Sequence, residues 1–329
     1  MSRPASRAAR GADSPRPAEA AVPVVRRDRA GSTQDEVRAL LAGGLRAPFA
    51  VATTEQSAGR GRLGRSWSSP RGQGLALSVA HPTALEPAAR TWLPLVAGLA
   101  VVEVLECLRR EALARRPGAP DAGEAGRDDA GPDDAGPGDA GPDDAGLGDA
   151  GPLGLKWPND VHDARGRKLA GILAETTADG AVILGVGLNL AGPVRADDGE
   201  VMPGACALSE VLGMGPEEAR GMGSALAAEL ARGIVGQLRR LEAAHGDAVA
   251  SGQAEHYGET CITVSRRVRV TGAGSRPAVQ GTAVGIDGRG RLIVRDDAGA
   301  SHRLDIGDVE HVRAAGDDAA RGLASGQDD

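Results

Sequence analysis

Lys156-Trp157-Pro158-Asn159-Asp160, with the apolar runs 168–176 and 181–190 behind it, is the stretch on which the fold turns. Leu155-Lys156-Trp157 opens a strand. Pro158 has no N–H to give to a ladder, so the strand must end in a turn there and leave Lys156 at its tip. The two runs that follow have strand length and meet near Asp179-Gly180, the signature of a hairpin. Upstream, 49–54 and 75–80 are short apolar runs that read as buried strands. Residues 88–114 carry Leu95, Leu99, Val102, Leu105 and Leu108 at helical spacing. Ser32 or Thr33 caps a shorter helix, with Thr33 and Glu36 at capping-box spacing and Gly43-Gly44 at its end. Downstream, a helix is expected over 216–243. From about 260 the pattern changes to short strands at 262–271, 279–286, 292–296 and 302–306. The fold class is α+β: a mixed or antiparallel sheet with helices, then a small β-barrel.

Composition narrows the chemistry. The net charge of −7 is dominated by one segment, since 121–151 holds ten acids against Arg127, and the rest of the 329 residues is close to neutral. That leaves no basic surplus to make nucleic acid the main partner. Residues 117–153 repeat D-A-G-P at short intervals, offer nothing to a core and repel themselves, so they read as a disordered acidic insertion at a loop tip. Residues 1–24 and 315–329 read as disordered tails, the first lacking the apolar stretch of a secretory signal. Cys107, Cys206 and Cys261 are too few and too scattered for a disulfide framework or a zinc site, which suits a reducing cytoplasm. No apolar run looks long and uninterrupted enough to span a membrane.

Three segments carry chemistry. The first runs from Gln56 through Gly59-Arg60-Gly61-Arg62-Leu63-Gly64-Arg65 to Trp67. Glycines let the backbone approach a phosphate, and arginines add permanently charged, bidentate donors. Such a loop suits a polyphosphate; a solvated basic loop or a nucleic-acid contact has the same composition. It is neither a Walker loop nor a dinucleotide fingerprint. The second is Lys156. Among 38 basic residues only Lys156 and Lys168 are lysines, and a compact ammonium fits between two anions where a planar guanidinium does not. Asn159 and Asp160 beside it could bind Mg²⁺ or fix the turn through Asx bonds. The third is Gly185-Val186-Gly187-Leu188-Asn189. Its glycines suggest close approach of a ligand or of other backbone, and Asn189 needs a partner, either the core backbone or a nucleotide. At the other end of the chain, Ser32, Thr33 and Gln34 supply donors at a helix start.

Together these segments resemble the biotin protein ligase family: S-T-Q at 32–34, G-R-G-R-L-G-R-S-W-S-S-P at 59–70, K-W-P-N-D at 156–160, R-K-L-A-G-I-L-A-E at 167–175 and G-V-G-L-N at 185–189, in the family's order. The last 55 residues, with G-T-A-V-G-I-D-G-R-G-R-L at 281–292, resemble its C-terminal domain. The resemblance implies a class II aminoacyl-tRNA synthetase-like catalytic domain over 25–258 and an SH3-like domain over 259–314. It implies that biotin and Mg²⁺-bound ATP form biotinyl-5′-AMP, and that a lysine of a biotin carboxyl carrier protein then takes the biotin. Carried over by position, Ser32, Thr33, Gln34 and Gln56 would line the biotin pocket. Arg60, Gly61 and Arg62 would form a mobile loop over biotin and phosphates, and Lys156 would bridge biotin carboxylate and α-phosphate, with Arg62 sharing the catalytic charge. Gly59, Arg65, Trp67, Asn159, Asp160, Gly187 and Asn189 would lie near the nucleotide. Gln34 stands where some members have Asn. Too few residues precede the catalytic start for the DNA-binding domain of some members, so no DNA role is expected; a homodimer is possible. Three other readings stay open: a lipoate ligase, a nucleic-acid-binding module built on R-G-R-L-G-R, and a biotin sensor without catalysis.

Overall fold

The computed structural model describes residues 21–115, 151–196, 199–272, 277–305 and 307–311. The expected acidic insertion, except for its last residues, and both expected tails, except for 21–24, lie outside the described residues. Strands β1 (Val24–Arg26), β2 (Phe49–Thr53) and β5 (Gly74–His81) enter one seven-stranded sheet. It is completed by β6 (Gly154–Lys156), β7 (Asp160–His162), β8 (Lys168–Thr176) and β9 (Val182–Asn189). The order is β1-β2-β5-β9-β8-β7-β6, with β1–β2 parallel and every other pair antiparallel. The sheet is therefore mixed, and the hairpin expected at Asp179-Gly180 joins its β8 and β9. The expected tail 1–24 overruns this sheet: Val22 is buried and Val24 already pairs with Ala50.

Both faces of the sheet are covered, which is why its central strands are apolar throughout rather than alternating. Every residue of β5 is buried. Helix α1 (Thr33–Ala42) covers one face, where Val37 packs with Phe49, Val51, Ala80 and Ile183. Helices α2 (Leu93–Ala114) and α5 (Gly223–Ala243) cover the other, in the main core with Ala50, Ala52, Leu75 and Leu77. Residues 87–114 do have the length and apolar content to cross a membrane, contrary to the reading of the sequence. In this fold 67% of that apolar window is buried, because α2 is the helix sandwiched between sheet and helices. The single helix expected at 216–243 is two, α4 (Pro216–Gly221) and α5, with α3 (Leu208–Leu212) before them. Helix α6 (Gln253–Thr260) leads out of this unit.

The last described residues form a five-stranded antiparallel sheet of β10 (Arg267–Thr271), β11 (Val279–Ile286), β12 (Leu292–Arg295), β13 (Ser301–Leu304) and β14 (Asp308–His311), ordered β13-β12-β11-β10-β14. The fifth strand, β14, was not legible: four residues with one buried Val309 carry too little pattern. This sheet is gripped by two tryptophans of the larger unit. Trp92 Nε1 donates to the Gly288 carbonyl and Trp157 Nε1 to that of Gly290, each at 2.9 Å, and both rings are 1% exposed. Trp92 also meets Tyr257 edge-on, ring centres 6.0 Å apart.

Candidate functional site

The arginine–glycine segment, read as a loop, folds as a two-stranded ribbon: β3 (Gln56–Arg60) pairs with β4 (Ser66–Ser69), and a 3₁₀ turn over Arg62–Gly64 joins them. Its tip holds Leu63 at φ 55°, a left-handed conformation costing a non-glycine residue about 1 kcal/mol, and leaves the side chain half exposed. The ribbon overhangs a cleft of about 330 Å³, room for one small molecule or part of a larger one. The walls of the cleft come from α1, β5, the β6–β7 turn, β8, β9 and the start of β14.

At one end stand Ser32, Thr33, Gln34 and Gln56, all buried. The capping expected here takes another form. Ser32 occupies the cap position but its side chain makes no cap bond, and Glu36 pairs with Arg27 instead. The Thr33 hydroxyl faces the sheet, 2.8 Å from Ser78 Oγ, while the Thr33 N–H donates to Gln56 Oε1 at 2.9 Å. Gln34 Nε2 donates to the Leu173 carbonyl at 3.3 Å, beside Gly185. The result is a small, polar, hydrogen-bonded recess. Ser78 was missed in the sequence, although a hydroxyl inside the apolar run 75–80 must find a partner once buried.

At the other end are the cations. Lys156 stands at the end of β6 opposite Asp160, its register partner. Burial lowers its pKa, opposed by Asp160 and assisted by Lys168. Asp160 is ion-paired to Lys168, Oδ1 to Nζ at 2.8 Å. Arg62 is also partly buried, which lowers its pKa, and it donates to Asn159 Oδ1 at 2.9 Å. Asn159 Nδ2 is bonded in turn to the Ile172 carbonyl. Trp67 lies against Gly171 and Gly187, with Lys168 Nζ 5.5 Å from its ring centre and its indole N–H buried without a partner among the described residues. A Cβ on Gly187 would come within 2.3 Å of the Trp67 ring, so glycine here makes room for a side chain of the ribbon. Gly59 is needed for the same reason, with Gln56 Nε2 and the Trp67 carbonyl closer than a Cβ allows.

The remaining ribbon arginines are held by carboxylates. Arg60 clamps Asp35 through two bonds of 2.8 and 2.9 Å and approaches Glu175; its hydrogen bond is the main reason that the Asp35 carboxyl titrates below the usual range. Arg65 pairs with Asp308. Of the residues singled out in the sequence, the cleft brings together all but two. Gly59 shapes the ribbon without facing the cleft. Asn189 donates through Nδ2 to the Lys168 and Cys206 carbonyls at 3.3 and 3.0 Å, the arrangement of a core amide. Asp35, Glu175 and Asp308 were not foreseen, since nothing local distinguishes them from solvated acids.

Residues 27–190 match the biotin/lipoate A/B protein ligase family and 266–312 the biotin protein ligase C-terminal domain. Over 285 residues, 86% of each chain, this protein is 33% identical to the biotin–[acetyl-CoA-carboxylase] ligase of Mycobacterium tuberculosis. It is 34% identical to the bifunctional ligase/repressor BirA of Salmonella typhimurium over 153 residues, 45% of this chain and 35% of that one. Its fold is similar to that of the biotin protein ligase of Aquifex aeolicus, solved with biotin and ATP: TM-score 0.62 at 20% identity, covering 89% of this chain and 99% of the other. By its length of match to the mycobacterial ligase and by both domain matches, the chain belongs to the biotin/lipoate A/B protein ligase family.

Proposed function

We propose that this protein is an ATP-dependent biotin–protein ligase whose acceptor is a lysine of a biotin carboxyl carrier protein, as on acetyl-CoA carboxylase. One observation carries the reading: a single cleft joins a small polar recess at Ser32, Thr33, Gln34 and Gln56 to a cationic end at Lys156 and Arg62. The recess suits a ureido ring, which needs donors for its carbonyl and acceptors for its N–H groups. The cationic end suits two anions that must meet, a carboxylate and a triphosphate. In the first step biotin carboxylate attacks the α-phosphorus of ATP, the bond to the bridging oxygen breaks and pyrophosphate leaves. Lys156 and Arg62, both partly buried, offset the repulsion and stabilise charge as it develops. In the second step the carrier's lysine amine, deprotonated, attacks the anhydride carbonyl, AMP leaves, and the nitrogen gives up a second proton to solvent as the amide forms. The ribbon's part is to cover the anhydride and exclude water. Trp67, with a free indole N–H in the cleft, would pack against the nucleotide, with Gly187 beneath it.

Mg²⁺ belongs on the ATP phosphates. Asp160 is ion-paired to Lys168, and Asn159 Oδ1 accepts from Arg62. When bound, the ion neutralises phosphate charge. We assign the larger unit, about 25–258, to a class II aminoacyl-tRNA synthetase-like domain and 259–314 to an SH3-like one. We place the protein in the cytoplasm, acting without DNA or a membrane. Incubation with ATP, labelled biotin and a carrier domain tests the function, with lipoate and a lipoyl domain run in parallel. Label on the carrier lysine from biotin alone is the expected outcome; transfer of lipoate instead would make the protein a lipoate ligase, and biotin binding without pyrophosphate release a sensor.

A further inference from the structure

The arginine ribbon is fastened on two sides. On the larger unit Arg60 is held by Asp35 of α1 and faces Glu175 of β8. On the other side the C-terminal sheet takes hold: Arg65 pairs with Asp308, the first residue of β14, and Arg62 donates to the Gly307 carbonyl at 3.3 Å. The residues joined lie about 240 positions apart in the chain. A Cβ on Gly307 would meet Val270 Cγ1 at 2.5 Å, so the Gly307–Asp308 corner is pressed against β10. The corner is thus set by the terminal sheet, and that sheet is fixed to the larger unit through Trp92 and Trp157. Asp308 accordingly offers the ribbon a carboxylate whose position the ribbon itself does not control.

We propose that Asp308 is a positioning residue for the ligation: through Arg65 it keeps the ribbon down over the acyl-adenylate between the two half-reactions. This rests on the function proposed above. An anhydride left uncovered is lost to water, which attacks the carbonyl, breaks the bond to the phosphate oxygen and yields free carboxylate, AMP and a proton. A ribbon released on the Asp308 side therefore uncouples the enzyme: pyrophosphate is still formed, but less biotin reaches the carrier. Arg65 and Asp308 are partly solvent-exposed, so the pair is of the weak surface kind and the effect is modest.

The test measures the ratio of pyrophosphate released to biotin transferred, with ATP, biotin and a carrier domain, in the full-length wild type, Asp308→Asn and Asp308→Glu, alongside their thermal midpoints. The expected result for Asp308→Asn is a ratio raised about two- to fivefold, the range an exposed ion pair supports. Its midpoint stays near the wild type, and Asp308→Glu, which keeps the carboxylate, stays near the wild-type ratio. An unchanged ratio in Asp308→Asn, or an equal rise in both variants, overturns the proposal. If Asp308→Asn does not fold, Arg65→Gln removes the same pair from the ribbon side, and an unchanged ratio there overturns it too. A wild type that releases no biotin-dependent pyrophosphate refutes the function itself, an outcome separate from a coupled Asp308→Asn.

Discussion

Trp157 lies in the motif beside Lys156, yet its indole N–H reaches away from the cleft to the Gly290 carbonyl, 2.9 Å distant in the β11–β12 turn. Its backbone N–H is bonded to Thr263 Oγ1 at 3.0 Å, again toward the C-terminal unit. One residue of K-W-P-N-D therefore lines the cleft and the next serves the contact between sheets. Trp157→Phe keeps most of the ring volume but strands a buried carbonyl. A stability loss of about 1–2 kcal/mol is expected, read from the urea midpoint.

Lys156→Ala removes the ammonium at the cationic end while leaving β6 backbone pairing intact. Biotin-dependent pyrophosphate release should fall by a factor of about a hundred or more, the scale for losing a preorganised charge at a developing anion. Release close to that of the wild type would mean that Lys156 is not the bridging cation.

Gly187→Ala sets a methyl 2.3 Å from the Trp67 ring, and backbone pairing on both sides of β9 prevents retreat. Trp67 must swing out. A loss of about 1–3 kcal/mol is expected from overpacking, together with red-shifted tryptophan emission and a raised KM for ATP. Wild-type emission and KM would place Trp67 outside the nucleotide's reach.

His311 is half-buried near Lys156, His162 and Arg266, and its pKa is pushed down to about 4, chiefly by burial. His162 on β7 is lowered as well, also chiefly by burial. The folded state thus binds fewer protons on these rings than the unfolded chain below the ordinary imidazole value of about 6.5. Their contribution to stability is complete above that pH and is lost as pH falls from about 6.5 toward 4. His311→Gln should flatten the stability curve in that window by about 1–2 kcal/mol, after allowance for solvent at a half-exposed ring. Parallel curves for variant and wild type would refute it.

Strands β2, β5, β8 and β9 of the main sheet were legible because each is an apolar run of strand length. The hairpin of β8 and β9 at Asp179-Gly180 is the clearest case. The helix expected at 216–243 was legible in type but not in its break at Met222, where α4 stops and α5 begins with no Pro to mark the spot. β7 is only Asp160–His162 and depends on neighbours at both sides for its existence, so no local pattern announces it. The aromatics held a further clue. Phe49, Trp92, Trp157 and Tyr257 are fully buried, and Trp67, the remaining aromatic, is the one left partly exposed, at the cleft.

What the sequence determined by itself was the set of parts: two lysines in an arginine-rich chain, glycines that suit close approach to the backbone, a Ser-Thr-Gln at a helix start, and a change of strand spacing near 260. These are properties of residues and of their immediate neighbours. Only the tertiary structure decided that Asn189 belongs to the backbone around it, that Thr33 is bonded to Ser78, and that Asp35 and Asp308 take the outer arginines of the ribbon. Those partners are separated by 17 to 243 positions. A hydrogen bond or an ion pair depends on distance in space, and that distance is set by packing across the whole chain.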